Sequence, residues 1–114
     1  MLFTVSLKLN HEFHRLYNKG NSAGSGLLVI YCRKTKRDFS RLGITVSKKL
    51  GHAVARNRIR RRIREIYRTN ESKLLPGYDL VVVARHGSTD GTYSALEADF
   101  LRLAGRLGLL ADKE

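Results

Sequence analysis

One segment of 21 residues, Lys48–Arg68, constrains the fold of this chain more than any other part. Its apolar residues recur at the 3.6-residue period of an α-helix, which predicts a helix from about His52 to Asn70 with one side against a core. The other side of this helix is mainly arginine. The apolar stripe consists of Ala55, Ile59, Ile63, Ile66 and Tyr67, and the opposite stripe of Ala53, Asn57, Arg60, Arg61, Arg64 and Arg68.

The charge of this segment is as unusual as its spacing. It holds nine Lys and Arg residues against one acid, Glu65, and so contributes +8 to a formal net charge of +12. Because like charges repel one another in a compact chain, a bound polyanion would relieve the repulsion. Arginine also matches phosphate oxygens with paired hydrogen bonds, so a nucleic acid is the expected partner. The alternative is a solvated helix face with no partner, but one carboxylate cannot neutralise nine cations.

Length and composition limit the class of protein. A chain of 114 residues that is 42% hydrophobic is predicted to fold as one domain, residues 1–114, with a modest core. No apolar run approaches the roughly 20 residues of a membrane-spanning helix, and the first residues lack the pattern of a secretory signal. Cys32 is the only cysteine, so no internal disulfide is expected. These features predict a cytoplasmic protein without a membrane partner.

The remaining patterns predict two more helices and three strands. Asn10 is a candidate N-cap of a first helix that ends at Gly20, and residues 94–97 match a capping box that opens a last helix. Strands are predicted at 27–32, 41–47 and 78–85, with a charged turn at 33–38, while 21–26 is either a loop or an edge strand.

This order, α-β-β-α-β-α, predicts a fold of mixed α and β structure (α/β, as an α+β sandwich). In such a fold, helices pack on a small mixed sheet. A strand, the basic helix and another strand in series predict one parallel pair of strands.

The residues offer little for catalysis by the protein itself. Phosphodiester hydrolysis at a protein site usually requires clustered carboxylates that hold metal ions, or a positioned His pair. The ten acids show no such spacing, and His11 and His14 have no third ligand near them in the sequence. Glycine-rich nucleotide-binding motifs are absent as well. We therefore predict no catalytic residue and no metal site in this chain.

Aromatic residues predict a second binding surface. Phe13 and Tyr17 are one turn apart on the first helix, and Tyr31 ends a strand. Unpaired bases stack on such rings with about 1–3 kcal/mol each. A core position is the alternative, above all for Phe13. The face of the 41–47 strand that carries Gly43, Thr45 and Ser47 is small and polar, and leaves room for a ligand against the sheet.

Residues 41–61 closely resemble the signature of the bacterial ribonuclease P protein subunit family. The hallmark is Arg56-Asn57-Arg58, preceded by Val46-Ser47-Lys48-Lys49. Further matches lie at Phe13–Tyr17, Val29–Tyr31 and Tyr78–Arg85, so the resemblance covers nearly the whole chain.

The resemblance implies a ribonucleoprotein endoribonuclease that removes the 5′ leader from precursor tRNA. The partners it implies are a catalytic RNA subunit and precursor tRNA; the catalytic centre would lie in the RNA. Mg²⁺ would be held mainly by the RNA and not by the protein alone. The resemblance also implies an unusual left-handed β-α-β crossover across residues 41–85, against the common right-handed form. Self-association is left open.

The resemblance assigns two sets of site residues by position. The set facing the RNA subunit is Arg56, Asn57, Arg58, Arg60, Arg61, Arg64 and Arg68. The set lining a cleft for the leader is Phe13, Tyr17 and Tyr31, with Thr45, Ser47 and Lys48 at its wall. Three alternatives stay open from the residues alone: a ribosomal-type protein that binds structured RNA without a role in cleavage, a stand-alone nuclease, and a DNA-binding regulator.

Overall fold

A mixed sheet of five strands forms the centre of the computed structural model, which describes residues 1–111. In chain order the strands are β1 (Thr4–Ser6), β2 (Asn21–Gly24), β3 (Leu28–Lys34), β4 (Ser40–Thr45) and β5 (Tyr78–Ala84). The helices are α1 (Asn10–Lys19), α2 (Ala53–Asn70) and α3 (Tyr93–Arg106). Short 3₁₀ turns lie at Lys48–Leu50, Glu71–Lys73 and His86–Thr89.

The strand order across the sheet is β1-β4-β5-β3-β2. β4 pairs in parallel with β5 and with β1, whereas β3 is antiparallel to both β5 and β2. The predicted mixed sheet and the parallel pair around the basic helix are therefore confirmed. The left hand of the β4-α2-β5 crossover stays a prediction.

The two faces of the sheet are covered unequally. Helices α2 and α3 bury the larger core against one face, where Tyr67 and Phe100 meet edge to face at 6.2 Å between ring centroids. Helix α1 lies on the other face, and its Leu16 packs with Leu7 on Val81 of β5. Because α1 is short, part of this second face remains accessible: Tyr31 and Val83 are only half-buried.

Helix α2 confirms the predicted helix and most of its apolar stripe. Ile59, Ile63, Ile66 and Tyr67 are buried, and burial raises the pKa of Tyr67 to about 12. Ala55 was predicted on the same stripe, but it is exposed in the first turn of α2, where burial begins only at Ile59. Within residues 1–111, no helix combines the length and the apolar composition that crossing a membrane requires.

Two predicted helix caps are wrong by one or two residues. Asn10 is the first residue of α1 and not its N-cap, and Leu9 precedes the helix without a side-chain cap. Helix α3 begins at Tyr93, where the Thr92 hydroxyl accepts a hydrogen bond from the Ala95 backbone N–H. The capping box predicted from Ser94 does not form. Thr92 competes for the same role, and a local pattern cannot decide between two candidate caps that are two residues apart.

The structure adds two strands to the predicted order. β2 makes residues 21–24 an edge strand, as one of the two interpretations of that region had it. β1 has no counterpart in the sequence prediction, because it is only three residues long and two of its side chains are exposed. The charged turn predicted at 33–38 also begins later, since Arg33 and Lys34 still belong to β3.

A buried carboxylate holds β1 in place. Glu71, just beyond α2, accepts hydrogen bonds from the backbone N–H groups of Leu2 (2.6 Å) and Phe3 (3.0 Å) and from the Thr4 hydroxyl (2.5 Å). Burial alone would raise the pKa of this carboxyl, but these hydrogen bonds outweigh burial and lower it below its ordinary value. The N-terminal strand and the end of α2 are therefore fastened together by one ionised group.

We expect Glu71→Gln to lower the free energy of unfolding by about 1–3 kcal/mol, because buried donors lose a charged acceptor. Since the folded-state pKa is depressed, this stabilisation is complete above the unfolded pKa of about 4.3 and is lost as the pH falls through lower values. Urea unfolding at pH 7 and pH 3 measures both effects. If the free energies of unfolding of variant and wild type differed by the same amount at both pH values, the role of the Glu71 charge would be contradicted.

Candidate nucleic-acid interface

Four polar residues of α2 form one continuous surface, which we call the basic face: Asn57, Arg60, Arg61 and Arg64. They line a shallow depression of about 490 Å³ together with Val54. Arg60 Nη1 donates a hydrogen bond to Asn57 Oδ1 at 3.2 Å, so the asparagine is oriented by its neighbour. Arg61 and Arg64 are exposed and have no ion-pair partner within residues 1–111. The surface can therefore offer several unshared guanidinium donors to phosphates.

The other three arginines predicted for this surface lie elsewhere or are engaged. Arg58 lines a separate groove near the 3₁₀ turn that precedes α3. Arg68 forms two hydrogen bonds with Glu65, at 2.9 and 2.5 Å, which lower the pKa of that carboxyl. Arg56 is half-buried at the flank of α2, and its Nε is buried without a hydrogen-bond partner in the described part of the chain. The structure thus divides the predicted set into a central face and three flanking groups.

The predicted aromatic residues come together on the face of the sheet that α1 covers. Tyr17 and Tyr31 meet edge to face, with ring centroids 5.0 Å apart and planes at 74°. The hydroxyls of Tyr17 and Thr45 share a hydrogen bond of 3.0 Å. We call this group, with Phe13, the aromatic cleft. All four residues are half-buried, which leaves ring edges and hydroxyls available to a ligand.

Phe13 occupies the room that the small residues of β4 leave. A Cβ atom at Gly43 would lie 2.5 Å from Cζ of Phe13, closer than any real contact. The sequence predicted this room for a ligand, but part of it is filled by the Phe13 ring of the protein itself. Glycine at this position therefore sets how closely α1 approaches the sheet.

We expect Gly43→Ala to displace the Phe13 ring and to lower the free energy of unfolding by about 1–3 kcal/mol, the usual effect of overpacking. Thermal unfolding by circular dichroism measures the loss. Phe13→Leu in the Gly43→Ala background should recover part of it, because a smaller side chain relieves the overlap. No recovery would show that the strain lies elsewhere in β4.

A groove joins the aromatic cleft to the basic face. Phe13, β1 and residues 42–44 of β4 line it, and Arg60 and Arg64 reach it from α2; its volume is about 280 Å³. Phe13 of the aromatic cleft and Arg60 and Arg64 of the basic face thus line the same groove. A single extended ligand can contact aromatic rings and guanidinium groups within this one region.

Ser47 and Lys48 lie where β4 leaves the sheet. Ser47 Oγ accepts a hydrogen bond from the Lys49 backbone N–H at 3.2 Å, which caps the following 3₁₀ turn. Both side chains are exposed. Ser47 therefore has a structural role of its own, while the Lys48 side chain is an exposed cation three residues after Thr45.

An ion-pair network fixes α1 to the sheet beside the cleft. Arg41 donates from Nε and Nη2 to the two carboxylate oxygens of Asp79, at 2.9 and 2.6 Å, and from Nη1 to Glu12 of α1. The hydrogen bond to Asp79 is the main cause that raises the pKa of Arg41. Sequence reasoning missed this network, because its three residues are far apart in the chain. The register of β4 with β5, which places Arg41 opposite Asp79, is what brings them together.

Val54 is a second residue that sequence reasoning missed. Its side chain is 73% exposed and stands beside Asn57 and Arg61. The available signal was an apolar residue outside the apolar stripe, among charged neighbours. Such a residue can contact a sugar or a base where arginines hold the phosphates.

No three His, Cys, Asp or Glu side chains within residues 1–111 come together as a potential metal site. His11 and His14, one turn apart on α1, have no third donor beside them there.

Comparison with known proteins gives this geometry a context. The sequence profile of the family described as Ribonuclease P matches residues 3–108. The chain belongs to this family. It is 45% identical over 104 residues to the ribonuclease P protein component of Clostridioides difficile, covering 90% of this chain and 91% of that protein. The component of Clostridium novyi is 46% identical over 105 residues, covering 90% and 93%.

Solved structures agree with the family assignment. The ribonuclease P protein of Staphylococcus aureus superposes with a TM-score of 0.85 at 36% identity, over 93% of this chain and 97% of that one. The ribonuclease P protein from Thermotoga maritima gives 0.81 at 32% identity, over 89% and 96%. The chain is therefore a protein component of the ribonuclease P ribonucleoprotein, with the fold of that family and a role in tRNA 5′ processing.

Proposed function

We propose that this chain assists an RNA catalyst by holding two RNA segments, the catalytic RNA subunit on the basic face and the single-stranded 5′ leader of precursor tRNA in the aromatic cleft. The observation that carries the proposal is the groove in which Phe13 of the cleft meets Arg60 and Arg64 of α2. Substrate and RNA subunit would meet along this groove, so the protein acts as a clamp between them.

The basic face suits the RNA subunit because Arg61 and Arg64 are exposed, Arg60 is half-buried, and none of the three forms an ion pair within residues 1–111. If the three arginines of the basic face and the three flanking arginines together make about six phosphate contacts, the logarithm of the binding constant should fall with the logarithm of salt concentration with a slope of roughly −4 to −5.

The aromatic cleft suits a single strand. Tyr17 and Tyr31 offer rings to unpaired bases, and such stacking tolerates most sequences because every base has a π-face. The Tyr17 and Thr45 hydroxyls add donors and acceptors for a ribose or a base edge. The cleft would therefore bind leaders of many sequences and broaden the range of substrates.

We place the chemistry of cleavage in the RNA. The carboxylates nearest the cleft, Glu12 and Asp79, are both engaged by Arg41 and so are poorly placed to hold a metal ion. The described residues thus do not fit a protein-held Mg²⁺ site. The Mg²⁺ that the family resemblance implies is assigned to the RNA subunit.

Leader removal at low Mg²⁺ tests the proposal, with protein alone, RNA subunit alone and both together. We expect cleavage only when both are present, and little or none from the RNA alone at that Mg²⁺ concentration. Cleavage by the protein alone would make it a nuclease in its own right. Binding of the RNA without any stimulation of cleavage would favour the second candidate, a protein that binds structured RNA without a role in cleavage.

A further inference from the structure

A second basic pocket lies on the side of α1 away from the aromatic cleft. Its volume is about 400 Å³, and six of its ten lining residues are Lys or Arg. We call it the β3–β4 pocket, because the segment between these strands forms much of its wall. Its basic residues are Arg15, Arg33, Lys34, Lys36, Arg37 and Arg41, and its acids are Glu12 and Asp79.

Both acids of the pocket already form ion pairs with Arg41. Arg41 holds both Glu12 and Asp79, so neither carboxylate is left to neutralise the remaining cations. Arg37 approaches Asp79 only at 3.9 Å. The other four have no ion-pair partner within residues 1–111: Arg15, Arg33, Lys34 and Lys36. The pocket therefore keeps a strong positive charge in one concave place, where a polyanion is attracted.

The wall of the pocket is ordered by the protein's own hydrogen bonds. The backbone N–H and hydroxyl of Thr35 both donate to the Gly77 carbonyl, at 2.8 and 2.9 Å, and the Thr35 hydroxyl accepts from the Arg37 backbone N–H. Gly77 has φ +90°, and a Cβ atom there would lie 2.9 Å from the Arg37 carbonyl oxygen. Glycine is required at this close approach. The cations around Thr35 are thus held on a fixed turn.

The pocket is separate from both surfaces described above. Arg15 is two residues from Phe13 and from Tyr17, so it lies on the opposite flank of α1. Helix α2 packs on the other face of the sheet, and no residue of its basic face lines this pocket. On β3, Arg33 follows Tyr31 by two residues on the same face, about 7 Å further along the strand. The aromatic cleft and the pocket are therefore neighbours on either side of one helix.

We propose that the β3–β4 pocket binds phosphates of the RNA backbone, as a third RNA contact besides the basic face and the aromatic cleft. The inference rests on the proposed function, because it takes RNA as the polyanion this protein meets. The phosphates come either from the RNA subunit or from leader nucleotides that extend beyond the cleft. Guanidinium groups at a fixed spacing suit the paired oxygens of a phosphate in both cases.

The test compares two double variants of the full-length chain. Arg15→Gln with Arg33→Gln removes two exposed cations from the pocket. Lys73→Gln with Arg106→Gln removes two exposed cations from the α3 side, so that net charge is matched. Each variant is measured for equilibrium binding to the RNA subunit, and, as holoenzyme, for binding of precursor tRNA with a short or a long leader. Circular dichroism verifies that both variants fold.

We expect the pocket variant to bind one RNA about 20-fold more weakly than the control at 0.15 M salt, in line with the loss of two phosphate contacts. Weaker binding of the RNA subunit assigns the phosphates to that subunit. If only the long-leader substrate binds more weakly, the phosphates belong to the leader. If the pocket variant equals the control in every arm, while variants of the basic face still lose RNA binding, the pocket proposal is overturned and the proposed function stands. If the variants of the basic face lose nothing either, the proposed function itself fails.

Discussion

Replacing Arg61 and Arg64 together with glutamine should weaken binding of the RNA subunit about 20-fold at 0.15 M salt, if each arginine contacts one phosphate. Both side chains are exposed on the basic face and have no ion-pair partner within residues 1–111, so their removal leaves no buried charge behind. The salt slope of binding should become shallower by about 1.4 to 1.8, because fewer counterions are released. Filter binding or fluorescence titration at four salt concentrations measures both quantities.

The double variant Lys73→Gln with Arg106→Gln is the matched control, since it lowers the net charge equally on the α3 side of the molecule. It should leave the slope unchanged. Arg68→Gln offers an internal comparison, because Arg68 is already paired with Glu65 and should contribute less than Arg61 or Arg64. An equal loss in the control would mean that net charge, and not the basic face, determines binding.

Replacing Phe13 and Tyr17 together with alanine should weaken binding of precursor tRNA about 100-fold, while binding of mature tRNA changes by about twofold or less. Base stacking contributes about 1–3 kcal/mol per ring, and mature tRNA has no leader to stack. The measurement is equilibrium binding of both tRNAs to the assembled holoenzyme. Equal losses for the two tRNAs would show that these rings only support the fold.

Two conservative variants separate stacking from packing in this experiment. Tyr17→Phe keeps the ring and removes only the hydrogen bond with Thr45, so we expect precursor binding close to that of the wild type. Phe13→Leu keeps much of the contact over Gly43 but offers no flat ring. It should therefore lose leader binding, and it should lower the free energy of unfolding less than Phe13→Ala does. A Phe13→Leu variant that binds precursor normally would argue against stacking at this position.

Local periodicity predicted α2 well, because the stripe that is buried and the face that is charged both repeat with the helical period. Ile59, Ile63 and Ile66 are all buried as that pattern requires. The family resemblance, and not the periodicity, grouped Arg58 with Arg61, and the structure places these residues in neighbouring grooves, about 60° apart around α2. A motif that is contiguous in sequence spreads over more than half a turn, so its members cannot all face one ligand surface.

Features that depend on contacts between distant segments were not predictable from local patterns. β1 pairs with β4 and is held by Glu71, which accepts hydrogen bonds from residues 2–4, some 70 residues away, and nothing in the first six residues indicates either partner. The room over β4 was predicted from Gly43, but its occupant, Phe13, becomes evident only once α1 is placed on the sheet. The sequence therefore predicted which residues form the aromatic cleft, but not how the Phe13 ring fills part of it.

The central claim is that this protein contributes binding and no reacting group. Single-turnover cleavage of precursor tRNA by holoenzyme carrying Phe13→Ala and Tyr17→Ala, over a range of holoenzyme concentrations, tests it most directly. We predict that the concentration for half-maximal rate rises about 100-fold, in line with lost stacking, while the rate constant at saturation stays within about twofold of the wild type. A saturated rate constant that falls about 100-fold, with the half-maximal concentration unchanged, would contradict the claim.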